Sequence, residues 1–172
     1  ERKNESVDGI WTVALDIGYS AVKGFSNNMI YCFPSYCRKI TSQMLTFGDN
    51  NKTEILYKDN KTEEIWAVGA GAQEMIMADE ARDSIAELYG RNRYFSEIFK
   101  VISRVGMGIG MLSNEYGSPN GKELVLQTGL PPAYMKSDTV LIKEALSGEH
   151  DFSIKIGGKP WVSLTFELPE DH

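Results

Sequence analysis

The chain has 172 residues, enough for one well-cored domain and too few for two large ones. Its hydrophobic (42%) and charged (24%) fractions are ordinary for a globular chain, and nothing approaches the roughly 18 consecutive apolar residues a membrane-spanning helix needs. A net charge of −6 argues against non-specific binding of nucleic acid through the whole surface.

Residues 1–10 read as a charged lead-in, without the apolar core of a signal peptide. Trp11–Leu15 is a continuous, partly β-branched apolar run, expected to be a strand buried on both faces. It ends at Asp16. Ile17-Gly18-Tyr19-Ser20 is short enough for a hairpin turn, with Gly18 able to take a positive φ. A second apolar run to Phe25 follows and carries Lys23, so an acid and a base flank one tight turn. Such a loop offers backbone amides for anionic oxygens, a cation for their charge and a carboxylate for a metal's waters, which are the parts triphosphate chemistry requires. An ordinary polar surface hairpin is the plain alternative.

Segments 11–16, 20–26 and 29–33 form a three-stranded meander on this pattern, and 54–57 with 64–68 a second apolar strand pair. Cys32 and Cys37 lack further soft ligands at zinc spacing, since His150 and His172 are remote, and they read as free thiols of a reducing cytoplasm. Residues 70–79 have helical composition, 83–89 continue it or form a second short helix, and Gly90 is a stop. Arg91-Asn92-Arg93-Tyr94, the densest basic cluster, reads as a solvated turn before the next helix. That helix, 96–112, has one apolar stripe of Ile98, Val101, Ile102, Val105 and Ile109. Its glycines at 106, 108 and 110 come too late in a helical pattern for a dinucleotide fingerprint and suit either close approach to a sheet or a frayed helix end. Residues 123–127 read as a buried strand. A helix over 137–146 follows, with Ser137 or Asp138 as N-cap and Gly148 as stop, and then a hairpin of 152–156 and 161–168 around Gly157-Gly158.

The run from Asp16 to Lys23 between two apolar strands resembles the first phosphate loop of the actin, sugar-kinase and heat-shock-chaperone superfamily. Phe33-Pro34-Ser35, and the strand ending Thr128-Gly129-Leu130-Pro131, are similar to elements of the bacterial actin-like proteins of plasmid segregation, the ParM/StbA group. The resemblance implies an α/β, ribonuclease-H-like actin-type ATPase domain with a mixed sheet and flanking helices, over residues 11–172. It also implies that the chain is the N-terminal half of a larger protein, because no second Asp-x-Gly loop followed by Ser or Thr appears.

By the same resemblance the intact protein binds ATP and Mg2+ in an interdomain cleft. Asp16 holds Mg2+ through water, while Gly18, Tyr19 and Ser20 cradle phosphate oxygens and Lys23 neutralises their charge. Gln127, Thr128 and Gly129 line the cleft floor, and Glu170 positions the attacking water. Tyr19 departs from the small residue or Ser/Thr often found at its position. The partners implied are further copies in a filament, and DNA through an adaptor, with no membrane. The isolated half is expected to bind ATP weakly at best and not to hydrolyse it. An actin-fold small-molecule kinase and a nucleotide-binding scaffold without turnover remain the alternatives.

Overall fold

The computed structural model describes residues 9–27, 29–41, 54–78, 91–130 and 132–170. The expectations for 83–89 and Gly90 lie outside the described residues. A four-stranded sheet has the order β3-β2-β1-β7, from β1 (Ile10–Ile17), β2 (Ala21–Ser26), β3 (Met29–Pro34) and β7 (Glu123–Thr128). β1 pairs antiparallel with β2 and parallel with β7, so the sheet is mixed. A second, antiparallel sheet has the order β4-β6-β5-β8-β9, from β4 (Cys37–Ile40), β5 (Ile55–Asp59), β6 (Ile65–Val68), β8 (Gly148–Ile156) and β9 (Val162–Leu168). The helices are α1 (Ala70–Ala78), α2 (Glu97–Gly110) and α3 (Met135–Leu146).

α2 is the central packing element. Ser96 caps it, accepting from the Phe99 amide at 3.1 Å. Its predicted stripe is buried, and its glycines do bring it close to both sheets. A Cβ at Gly106 would stand 3.1 Å from Leu15, and one at Gly108 would stand 2.9 Å from Phe152 of β8. At its far end the Gly110 carbonyl accepts from Trp11 Nε1 at 2.8 Å and Ser26 Oγ at 2.7 Å, which satisfies a terminal acceptor that would otherwise be orphaned.

Several expectations are corrected. β1 is buried on one face only: Trp11, Val13, Leu15 and Ile17 face α2, while Thr12 and Ala14 are half-buried and Asp16 is exposed. No described element covers that second face, where Phe25 and Ile30 also stand exposed. β7 is likewise half-open rather than buried, with Glu123 and Gln127 exposed. β4 was not anticipated; pairing with β6 makes a strand of it. α3 starts at Met135, after a 3-10 turn over Pro132–Tyr134, and has no side-chain cap. Ser137 Oγ instead bonds the Tyr134 carbonyl and Asp138 Oδ1. Gly148, at φ 93°, opens β8 one residue past the Ser147 C-cap.

A buried polar cluster joins α2 to the second sheet. Arg104 Nε donates to His150 Nδ1 at 3.1 Å, and its Nη1 donates to Tyr57 Oη at 2.9 Å and Asp59 Oδ2 at 3.4 Å. His150 Nε2 therefore carries the ring proton and donates to the Leu146 carbonyl at 2.8 Å. Burial pushes Asp59 up, but the Thr62 and Lys61 amides, with Lys100 and Arg104, outweigh it and hold the carboxyl below its ordinary range. Burial pulls the His150 imidazole below its ordinary 6.5, and Arg104 and Lys100 add to that, against the opposing Leu146 carbonyl.

A depressed histidine contributes stability fully above its unfolded value and loses it as the pH falls toward the folded one. Unfolding free energy is thus expected to drop below pH 6.5, by at most about 1.4 kcal/mol per pH unit from this group. Urea titrations across that range check it. His150→Gln should flatten the slope, and an unchanged slope would exclude His150 as its source.

Candidate functional site

The site forms at the carboxyl ends of β1 and β7, the two parallel strands. The chain leaves β1 toward β2 on one side of β7's partner and returns to β7 on the other. Such a reversal leaves a crevice at the strand ends, the usual ligand site of open α/β sheets. An open cleft of about 430 Å³ lies there, lined by residues that include Asp16, Lys23, Phe25, Gln127, Thr128 and Gly129. That volume is in the range of small-molecule sites.

Asp16 and Lys23 are direct cross-strand partners, as are Ala14 and Phe25, and Ala14 also registers with Gln127 of β7. These side chains therefore share the uncovered face of the sheet. Asp16 and Lys23 are exposed, and among the described ion pairs none joins them. Acid and base stand side by side, each open to a third group. The Gly129 amide donates to the Leu15 carbonyl at 3.3 Å, tying the end of β7 to the end of β1.

The turn between β1 and β2 is built differently from expectation. Gly18 does not take a positive φ. Its amide donates to the Ala21 carbonyl at 3.1 Å, and a Cβ there would sit 2.9 Å from that same oxygen. Glycine is required for tightness rather than handedness. In this conformation the Gly18 N–H is committed within the turn, whereas the Ser20 amide and hydroxyl have no partner among the described residues.

Two holding residues escaped the sequence reading. Ser35, fully buried, donates from Oγ to the Gly18 carbonyl at 2.7 Å and from its amide to the Ser20 carbonyl at 3.0 Å. Phe33-Pro34-Ser35 thus ends β3 with a clasp on the turn; the motif was visible, its contact was not. Arg93 and Tyr94 are buried, not solvated. Arg93 Nη2 donates to the Ile17 carbonyl at 3.2 Å, and its guanidinium lies 4.4 Å from the centre of the Tyr19 ring. Tyr94 Oη donates to Asp138 Oδ2 at 3.0 Å, and burial, with that bond, pushes the phenol up.

Glu170 is exposed in a turn and is not among the cleft's lining residues. Pro169 before it lies with Leu168, Thr128, Leu126 and Ile142 around a small apolar pocket on the helix side of β7. Thr128 borders both spaces. Cys32 is an exposed thiol, and Cys37 is a buried one whose Sγ donates to the Ile98 carbonyl at 4.0 Å.

Residues 14–168 match the family model for the N-terminal domain of actin-like proteins. The chain belongs to that family. No curated protein sequence matches it. Among solved structures, this actin-like domain is similar to a non-polymerisable quadruple mutant of pCBH ParM, with a TM-score of 0.64 at 22% identity over 94% of this chain and 44% of that one. It is similar to apo pSK41 ParM at a TM-score of 0.64 and 19% identity, over 93% of this chain and 47% of the other. A 15-stranded ParM filament from Clostridium botulinum gives 0.57 at 18% identity, over 94% and 46%. At these identities the likeness establishes the actin-type fold. The chain spans about half the length of the ParM chains it matches.

Proposed function

We propose that this actin-like domain carries the first phosphate loop of an ATPase that binds Mg-ATP between two halves and assembles into filaments that move plasmid DNA through an adaptor. The observation that carries the proposal is the cleft itself. An unpaired acid and base face it from adjacent strands, where the strand order of the first sheet reverses. The likeness to ParM, including a filament form, supports the assembly part.

In this proposal Lys23 and the Ser20 amide and hydroxyl take phosphate oxygens, with the Tyr19 backbone beside them. Gly18 contributes the tight turn rather than its own amide. Among the described residues no three metal-ligating side chains cluster. A single exposed carboxylate suits a magnesium ion that arrives on the phosphates and keeps its waters, so Asp16 would hold it through water. Bound magnesium neutralises phosphate charge. Gln127 Oε1 or Thr128 Oγ1 would accept from those waters, and Gly129 leaves the floor open to the ligand. Glu170, outside the cleft lining in this chain, is given the attacking water by resemblance alone, as a proton acceptor once the whole protein closes on the ligand. The other half of the site belongs to the rest of the protein, so this chain alone is expected not to turn over ATP.

Right-angle light scattering beside phosphate release, on adding Mg-ATP to the full-length protein, tests the proposal. A scattering rise that decays as phosphate appears supports a dynamic filament. Phosphate release without scattering would move the function to a non-polymerising ATPase or kinase, and silence in both signals would overturn it.

A further inference from the structure

We propose that Arg93 is the positioning residue of the phosphate loop, clamping it from beneath through the Ile17 carbonyl and the Tyr19 ring. The functional consequence rests on the nucleotide-site proposal above, whereas the clamp itself does not. Arg93 is 7% exposed, and no carboxylate forms an ion pair with it among the described residues. A buried cation without a counter-ion is costly. Here its hydrogen bond goes to a backbone carbonyl, and its guanidinium carbon lies over the Tyr19 ring at 4.4 Å, the Tyr94 ring at 5.0 Å and the Phe99 ring at 5.7 Å from their centres. A delocalised guanidinium with five donors spreads its charge over both the carbonyl and the rings, which a compact, strongly hydrated ammonium does less well.

The consequence is directional. Three carbonyls of the turn are held away from the cleft: Ile17 by Arg93, Gly18 by Ser35 Oγ and Ser20 by the Ser35 amide. The N–H of a peptide plane points opposite its C=O, so Arg93 on the Ile17 carbonyl fixes the plane of the Gly18 amide that closes the turn, and Ser35 on the Gly18 carbonyl fixes the Tyr19 amide that an anion would meet. Ser35 belongs to the same meander as the turn. Arg93 comes from the 3-10 turn Arg91–Phe95, whose Arg93 carbonyl accepts from Ser96 Oγ at 2.8 Å, the N-cap of α2. The loop is therefore registered against α2, not merely against its own hairpin. Tyr19 belongs to this device: its ring, 46% exposed, supplies the face on which the guanidinium rests. The large residue at that position is thereby accounted for.

The test is hydrogen exchange of the 17–20 amides in the nucleotide-free full-length protein, beside affinity for a non-hydrolysable Mg-ATP analogue and thermal midpoint. Arg93→Lys should speed exchange of the hydrogen-bonded Gly18 amide by about tenfold, beyond any change in α2, and weaken the analogue by about tenfold. Tyr19→Leu, at a half-exposed position that folding tolerates, should give the same loop-specific signature, and the double variant should be less than additive. Loop exchange that is unchanged in both variants, or that rises only in step with the whole domain, would overturn the clamp. Lys23→Ala separates the two claims. It should cost affinity without altering loop exchange; if it leaves affinity intact while Arg93→Lys still loosens the loop, the nucleotide site fails and the clamp stands.

Discussion

Lys23→Ala in the full-length protein is expected to lower ATP-dependent phosphate release by about a hundredfold or more and to abolish the scattering rise. The fold should be unaffected, because the Lys23 side chain is exposed and lies on the face that no described helix covers. A cation preset beside a low-dielectric cleft wall acts on phosphate charge far more strongly than one in open water. It pays no reorganisation cost here, since no carboxylate has to release it. Asp16→Ala should match it in turnover, but for a different reason: the ion's waters lose their acceptor, so raising magnesium should recover part of the Asp16 loss and none of the Lys23 loss. Circular dichroism and thermal midpoints equal to wild type are the control. Turnover within threefold of wild type in both variants would mean the chemistry is elsewhere, whatever the family.

How much of this was legible beforehand depends on sequence distance. The meander and its turn were readable because hydrophobic alternation, a tight four-residue turn and an acid–base pair all fall within the segment 11–25. The fold class followed from motifs in the right order. The contacts that shape the loop were not readable, since Ser35 is 17 positions from Gly18 and Arg93 is 76 from Ile17. Nothing local marks Arg93 as buried, because the rings that cover it lie partly in another element. β4 failed for a related reason. Cys37-Arg38-Lys39-Ile40 has too little apolar patterning to declare itself, and its strand state comes from Val68 and Ile65 across the ladder. Spacing in the sequence offers His150 only as a possible zinc ligand, whereas its partners, Arg104 and the Leu146 carbonyl, make it a strut. β1 was misjudged on one face because an apolar run looks alike whether one or both faces are covered.

Gly24→Val is expected to destabilise the first sheet severely for a single change, by about 3 kcal/mol. Gly24 lies in β2 directly opposite Tyr31 of β3, and a Cβ there would land inside the Tyr31 ring. The ring crosses the empty glycine position to reach α2, where its hydroxyl donates to the Gly106 carbonyl at 2.7 Å. It cannot simply swing away, for Gly110 also opens onto it: a Cβ at Gly110 would stand 2.6 Å from the phenol oxygen and from Val13. Burial pushes the Tyr31 phenol well up, as expected of a hydroxyl seated against a helix. Tyr31→Phe should cost only about 1 kcal/mol, the loss of one hydrogen bond with packing retained. Combining Gly24→Val with Tyr31→Ala should recover part of the loss, because the incoming methyls then enter the space the ring vacates. Urea unfolding of Gly24→Val, Tyr31→Ala and their double variant measures this, and strictly additive losses would show that the two side chains do not compete. Lys23 is the next residue along β2, so Gly24→Val should also weaken nucleotide binding at temperatures where the variant is still folded. A stability loss with unaltered nucleotide affinity would mean that the cleft face of β2 is insulated from the packing beneath it.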